Sequence, residues 1–136
     1  MIDAVRLFIC APEEYHEDTD ELAALLEKNG HTVYYSHRDT PSAIPHEEIF
    51  LNNLILIRNA DIFISHFTRD GLYYVDLAVE IGIAVETMKP ILGLIEVNSK
   101  YINDFHERLE DDIMFKEAFS YTFTKREDLL RYLEEQ

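Results

Sequence analysis

Two carboxylates four residues apart are the side chains of this sequence best suited to chemistry. Asp76 and Glu80 lie in the stretch 73–84, whose mostly apolar residues predict a helix, so the two acidic groups share one helix face. Like charges at this spacing destabilise an exposed helix by roughly 0.2–0.5 kcal/mol, and apolar surroundings raise at least one pKa through desolvation. A pair kept at such a cost suits acid–base or nucleophilic work, as in glycosyl transfer. Periodicity alone favours the alternative that one or both carboxylates simply face water.

Two further residues are unusual for their positions in predicted helices. A glycine inside a helix costs roughly 0.5–1 kcal/mol relative to alanine, so we expect a strand or neighbouring helix to approach Gly82 closely. Asn53 falls on an apolar stripe shared with Ile49 and Leu56, where a polar amide needs a hydrogen-bond partner. A ligand base and a neighbouring backbone group are equally plausible partners.

The remaining candidate residues carry weaker signals. His66 follows the predicted third strand at the end where ligands bind, so it is a candidate pocket residue. Cys10 is expected to pack in the first strand rather than to act as a nucleophile, because no basic neighbour lowers its pKa. The histidines show no metal-ligand spacing, and no glycine-rich phosphate loop occurs, so the sequence predicts neither a metal site nor a cofactor.

The elements that position these residues alternate between short apolar runs and helical patterns. Strands are predicted at 6–11, 31–35, 61–65, 91–95 and 121–123, and helices from the cap Asp18 to Asn29 and over 45–59, 73–88, 103–117 and 126–134. This order predicts a three-layer α/β fold of the Rossmann or flavodoxin type, with a parallel sheet of four to five strands and helices on both faces. Its ligands should lie at the carboxyl ends of the strands, at 10–14, 65–71 and 96–98.

Composition bounds the possible partners. The 136 residues predict a single domain over 1–136. Twelve basic against 27 acidic residues give a net charge of −15, which repels nucleic acid and anionic lipid. No apolar run approaches the ~20 residues of a membrane helix. One cysteine and the lack of a basic secretory segment predict a cytoplasmic location.

Three segments of the sequence form an ordered set of motifs. They are Phe8–Pro12, the stretch 48–61, and Glu80-Ile81-Gly82-Ile83-Ala84 followed by Lys89-Pro90. This set resembles the first strand, the second helix with the third strand, and the ELGYA and GKP motifs of the nucleoside 2-deoxyribosyltransferase family, including its deoxynucleoside N-glycosidase branch. The likeness to ELGYA and GKP is the sharpest. Together the segments cover about residues 6 to 95.

The resemblance implies retaining glycosyl transfer to a second base or to water. Glu80 matches the glutamate that attacks C1′ of a deoxyribonucleoside, and Asn53 matches a polar residue near the base. An amide at that place can hydrogen-bond the base but cannot act as its acid. The spacing of Asp76, and not the resemblance, makes it the expected acid/base partner of Glu80. The resemblance also implies a small nucleoside or nucleobase partner and a homo-oligomer. The predicted substrate-binding set is Phe8, Cys10, Pro12, Asn53, His66 and Gly82.

The sequence also departs from the family pattern. Phe8 stands where the family has a tyrosine that orients the nucleophile, and we hypothesise that the hydroxyl of Tyr74 replaces it and that Asp76 replaces a displaced carboxylate. Pro12, Glu13 and Glu14 stand in place of a phosphate-binding loop, which favours an unphosphorylated substrate.

Three functions therefore remain open. The first is an enzyme that transfers or hydrolyses the N-glycosidic bond of a nucleoside through Glu80. The second is a catalytically inactive protein that binds a nucleoside or nucleotide. The third is an acidic protein-interaction module that has merely inherited the fold.

Overall fold

The computed structural model describes residues 5–136, and among them five strands run parallel in one sheet. The strands are β1 (Arg6–Cys10), β2 (Thr32–Tyr34), β3 (Ile62–Arg69), β4 (Ile91–Val97) and β5 (Tyr121–Phe123). Their order across the sheet is β2-β1-β3-β4-β5. The three central strands are almost wholly buried because each carries a continuous apolar run, as parallel sheets covered on both faces require.

Helices cover both faces of this sheet, so the predicted α/β fold is confirmed. They are α1 (His16–Lys28), α2 (Ser36–Asp39), α3 (His46–Asn59), α4 (Val75–Glu86), α5 (Ile102–Asp111), α6 (Ile113–Lys116) and α7 (Arg126–Glu134). One buried cluster joins α1 and α7 to one face of the sheet, and another joins α3 and α4 to the opposite face. A third cluster, centred on Phe67 and Phe105, packs α5 against the second face. Among residues 5–136, no helix is long and apolar enough to cross a bilayer.

The first helix begins earlier than predicted. It starts at His16, after a single 3-10 turn at Glu13–Tyr15, and Asp18 lies inside its first turn rather than at the cap. The Asp18 carboxylate instead accepts hydrogen bonds from the Thr68 hydroxyl at 2.7 Å and from Arg69 Nε at 2.9 Å. Arg69 Nη2 donates to the other carboxylate oxygen at 3.2 Å, so both oxygens of Asp18 are engaged in a charge-assisted pair with the end of β3.

Two other elements differ in length from their predictions. Strand β3 continues to Arg69 rather than ending at Ser65, because Thr68 and Arg69 remain in register with β4. The helix expected at 103–117 is divided at Asp112, whose backbone leaves the helical region. The extension of β3 matters for the site, since it places His66 within the strand.

Lys89 connects the turn after α4 to the end of α3. Its ammonium group donates to the carbonyl oxygens of Ile57, Arg58 (3.3 Å) and Ala60 (2.8 Å). The last carbonyls of a helix lack partners within the helix and carry its negative dipole end, so a cation is stabilising there. The Lys89-Pro90 segment therefore holds α3 in place beside α4.

Candidate active site

A cavity of about 710 Å³ lies beside the carboxyl ends of β1 and β2, between α1, α3 and α4. The segment after β1 contributes Ala11 to Glu14, as the strand-end rule predicts. Among the described residues, the segments 65–71 and 96–98 do not line this cavity. The site therefore occupies one part of the carboxyl edge of the sheet.

Glu80 and Asp76 both line the cavity from α4. Leu77, Ile81 and Ala84 are buried on the side of α4 that packs against the sheet. Asp76 and Glu80 lie on another side of the helix, which borders the cavity. Asp76 is exposed in the first turn, while Glu80 is mostly buried one turn further on. Burial, followed by the negative charge of Asp76, raises the pKa of Glu80 from 4.5 to about 7.

Cys10 packs at the end of β1 and contacts Glu80 from below. The thiol is buried and lies 3.9 Å from Oε2 of Glu80, to which it donates a hydrogen bond. Burial and then the charge of Glu80 raise the pKa of the Cys10 thiol well above its usual value. Cys10 is thus a neutral thiol that supports the carboxylate, and it is not among the cavity-lining residues.

Asn53 lines the cavity from α3, and its hydrogen-bond partner is a hydroxyl group. The Thr40 hydroxyl accepts from Asn52 Nδ2 at 2.7 Å and donates to Asn53 Oδ1 at 2.6 Å. The amide oxygen of Asn53 is therefore engaged, and its amino group has no hydrogen-bond partner within residues 5–136. This leaves a hydrogen-bond donor for a bound molecule.

Tyr74 lines the cavity, but its hydroxyl does not contact Glu80. It donates a hydrogen bond to Oε1 of Glu14, which belongs to the segment after β1. The hypothesis that Tyr74 orients Glu80 is therefore wrong in this structure. The reason is that Tyr74 precedes α4 in an extended conformation, and its side chain reaches Glu14 in the segment after β1 instead of Glu80 within the helix.

Besides Cys10, three residues of the predicted substrate set do not line the cavity, so four of its six members are outside it. Phe8 is fully buried and stacks on Phe63 with ring centroids 5.6 Å apart, because a ring without a hydroxyl packs well in the core. Gly82 is exposed, and a Cβ built there meets no atom within 4 Å, so the expected close approach is absent.

His66 is the third. Its ring is fully buried on the α1 and α7 face, where Nε2 lies 2.7 Å from Glu96 Oε1. Strand alternation turns residue 66 away from the face that carries Cys10, so this side chain points away from α4. Burial alone would raise the pKa of Glu96, but hydrogen bonds from His66 and Arg126 lower it to about 2. Pro12, in contrast, does line the cavity.

Sequence reasoning missed the contribution of β2 and of the start of α1. His16 and His37 stack with their ring centroids 3.9 Å apart, and both line the cavity together with Tyr35 and Ser36. The rule that ligands bind at strand ends, applied to β2 as well as to β1, predicts the segment 35–37. Within residues 5–136, no group of three or more His, Cys, Asp or Glu side chains could hold a metal ion.

The fold and the cavity define an α/β domain with a buried carboxylate at the carboxyl edge of a parallel sheet. The chain belongs to the nucleoside 2-deoxyribosyltransferase family, whose model matches residues 7–126. No curated protein matches the sequence.

Solved structures share the fold at low identity. The 2-desoxiribosyltransferase of Leishmania mexicana superposes with a TM-score of 0.55 and 19% identity over 67% of this chain, which spans only 64% of that protein. The CMP N-glycosidase BcmB of Clostridium botulinum gives 0.58 and 18% over 96% of this chain and 99% of its own. A conserved protein of Enterococcus faecalis V583 gives 0.64 and 14% over 98% and 99%.

Proposed function

We propose that the protein transfers or hydrolyses the N-glycosidic bond of a nucleoside or deoxynucleoside through a glycosyl ester on Glu80. The observation that carries this proposal is a mostly buried glutamate in a cavity, with its pKa near 7 and a second carboxylate one helical turn away. Family membership supports the reaction class. The names of the Leishmania and Clostridium neighbours, a transferase and an N-glycosidase, agree with the two outcomes.

The geometry suggests a role for each group. Ionised Glu80 attacks C1′, the new C–O bond forms, and the C–N bond breaks with its electron pair passing to the base. Asp76 then accepts the proton of the incoming water or acceptor base, which frees the Glu80 carboxylate. The Asn53 amino group donates to the base, and the Cys10 thiol holds Glu80 in orientation.

An unphosphorylated substrate fits the segment after β1. Glu13 and Glu14 line the cavity there, and both would repel a 5′-phosphate. The Clostridium neighbour is named for CMP, a nucleoside monophosphate. We therefore expect the two proteins to differ in whether the substrate carries a 5′-phosphate, and we expect the segment after β1 to cause this difference.

The test is an exchange and hydrolysis assay. Deoxynucleosides are incubated with and without a free base, and the wild type is compared with Glu80→Ala and with Glu86→Ala, an exposed glutamate at the end of α4. We expect base release by the wild type and by Glu86→Ala, loss of at least ~100-fold in Glu80→Ala, and a sugar adduct on the wild type by intact mass. Undiminished release in Glu80→Ala would reject the proposal.

A catalytically inactive nucleoside-binding protein is the second candidate. It is favoured by the lack of a hydroxyl at Phe8 and by the engagement of the Tyr74 hydroxyl with Glu14. In this case, no base is released, but a bound nucleoside at 100 times its Kd stabilises the fold by ~2.7 kcal/mol. Stabilisation by a nucleoside in thermal unfolding, with no base release in the assay above, identifies this second candidate.

We further propose a homo-oligomer in which a second copy covers the apolar side of α3 and α4. Phe50, Leu51, Ile55 and Val79 are each about half exposed there, at 54%, 52%, 55% and 51%. Phe50 and Val79 also line the cavity, so a second copy would border the substrate. Light scattering should give at least twice 16.0 kDa, and Ile55→Asp should return a monomer.

The single free thiol is in keeping with a cytoplasmic location.

A further inference from the structure

The proposed nucleoside cavity carries acidic side chains on two of its walls, the segment after β1 and helix α4. Four carboxylates line it, from Glu13, Glu14, Asp76 and Glu80. Among the described residues that line it there is no lysine or arginine. A bound molecule therefore meets a net negative field. Glu80 is mostly buried, whereas Glu13, Glu14 and Asp76 are exposed, so solvent and salt screen their share of this field.

The histidines of the cavity do little to reverse this field. His37 Nδ1 lies 3.4 Å from Glu13 Oε1, and His16 Nδ1 lies 3.4 Å from Asp20 Oδ2. Any positive charge on either ring is thus matched by a neighbouring carboxylate. His46 lines the cavity from an exposed position at the start of α3.

Asn53, the residue proposed to contact the departing base, offers it no proton. Asn53 is an amide whose oxygen is engaged by Thr40, and its free amino group can donate a hydrogen bond but cannot transfer a proton. Asp76 is exposed, and its negative charge acts on Glu80. An uncharged base that leaves without a proton becomes an anion in a cavity with four carboxylates, which is electrostatically unfavourable.

We propose that the preferred substrates are nucleosides whose base carries a fixed positive charge, such as pyridinium or N-alkylated purine glycosides. This inference rests on the proposed glycosyl transfer at Glu80. The carboxylate of Glu80 forms the C1′–O bond while the C1′–N electron pair neutralises the ring nitrogen, so an anion and a cation become an ester and a neutral base. Water then attacks C1′, its proton passes to Asp76, and Glu80 is released as a carboxylate.

Two other features of the cavity agree with a cationic aromatic ring. Phe50 and Tyr74 line the cavity and are partly exposed, and aromatic faces attract cations. Tyr35 also lines the cavity, but its ring already carries the Arg38 guanidinium, 4.7 Å from the ring centroid. A cation beside Glu80 also favours its ionised form and so lowers the pKa that burial has raised. The same charge that binds the substrate would thereby activate the nucleophile.

The binding test uses nicotinamide riboside, its 2′-deoxy form and the uncharged dihydro forms of the same size. Calorimetry with Glu80→Ala, which cannot form the ester, compares the four ligands without turnover. We expect the charged forms to bind at least ~10-fold more tightly, with the difference shrinking as salt is raised. Equal affinity of charged and uncharged forms would overturn the inference.

Matched variants show whether the cavity carboxylates cause the preference. In the Glu80→Ala background, the double change Glu13→Gln and Glu14→Gln should reduce the charged-to-uncharged ratio about 10-fold. The double change Glu107→Gln and Glu135→Gln alters the net charge equally at exposed positions away from the cavity and should leave the ratio unchanged. Equal effects of the two double variants would overturn the inference.

Turnover separates this inference from the proposed function. The wild type is assayed on the nicotinamide ribosides and on uncharged nucleosides, each rate being divided by that of uncatalysed hydrolysis. Larger enhancement on the charged substrates supports the inference, and Glu80-dependent cleavage of uncharged nucleosides alone overturns it while the proposed function stands. Cleavage of neither class overturns the proposed function, whereas the calorimetry still decides whether the cavity prefers cations.

Discussion

The thiol of Cys10 lies 3.9 Å from Oε2 of Glu80 and joins the end of β1 to the second turn of α4. Cys10 and Phe8 point to the same face of the sheet, two residues apart on one strand. The family's first strand carries a tyrosine hydroxyl where Phe8 stands, so the hydrogen bond to the glutamate has a different origin in this chain. The donor to Glu80 is the thiol of Cys10, two residues after Phe8 on the same face of β1.

This contact predicts opposite effects of two substitutions at residue 10. Because the thiol hydrogen bond lowers the pKa of Glu80, Cys10→Ala should raise that pKa and move the acid limb of the pH–rate profile upward. Cys10→Ser supplies a stronger donor and should move the limb downward. The profile of kcat/KM, or a carboxyl NMR titration, measures both. Shifts of the same sign in the two variants would contradict a positioning role.

The raised pKa of Glu80 predicts how stability depends on pH. The carboxyl ionises near 4.5 when unfolded and near 7 when folded, so unfolding releases a proton between these values and the free energy of unfolding falls as pH rises through them. Glu80→Gln removes this effect. It should be indistinguishable from the wild type at pH 4 and more stable by roughly 2–3 kcal/mol at pH 8. Urea unfolding at both pH values measures the difference, and a constant difference would argue against a buried, ionising Glu80.

Asn53 should decide which leaving groups the site accepts. Asn53→Asp places a carboxyl group beside the base, where it can donate a proton. We expect turnover of uncharged nucleosides to rise on the order of 10-fold or more, with little gain for pyridinium ribosides, which leave as neutral bases. Asn53→Ala is the control that removes the amide without adding an acid. A similar response of both substrate classes to Asn53→Asp would show that protonation of the base is not limiting.

Lys89 should stabilise the fold through the end of α3. Lys89→Met keeps the length of the side chain but removes three donors to main-chain carbonyls, and we expect a loss of about 1–3 kcal/mol in chemical denaturation. Lys100→Met changes the same charge at an exposed position and should have an effect within about 0.5 kcal/mol. Equal losses in the two variants would mean that the carbonyl contacts contribute little.

Two features of this protein could be predicted from the sequence alone: the order of its strands and helices, and the position of Asp76 and Glu80 on one face of a helix. Alternating apolar runs and helical stripes predicted the α/β sheet, since these periodicities are local properties of the chain. The four-residue spacing of Asp76 and Glu80 predicted a shared helix face for the same reason, and both line one cavity.

Only the tertiary structure decided which partners the side chains meet. Asp18 bonds Arg69 instead of capping α1, Tyr74 bonds Glu14 instead of Glu80, and the continuation of β3 turns His66 to the opposite face. Each contact joins residues 30 to 60 positions apart. Such contacts depend on which strands and helices become neighbours and on where each element ends, and neither is encoded in the local period of the sequence.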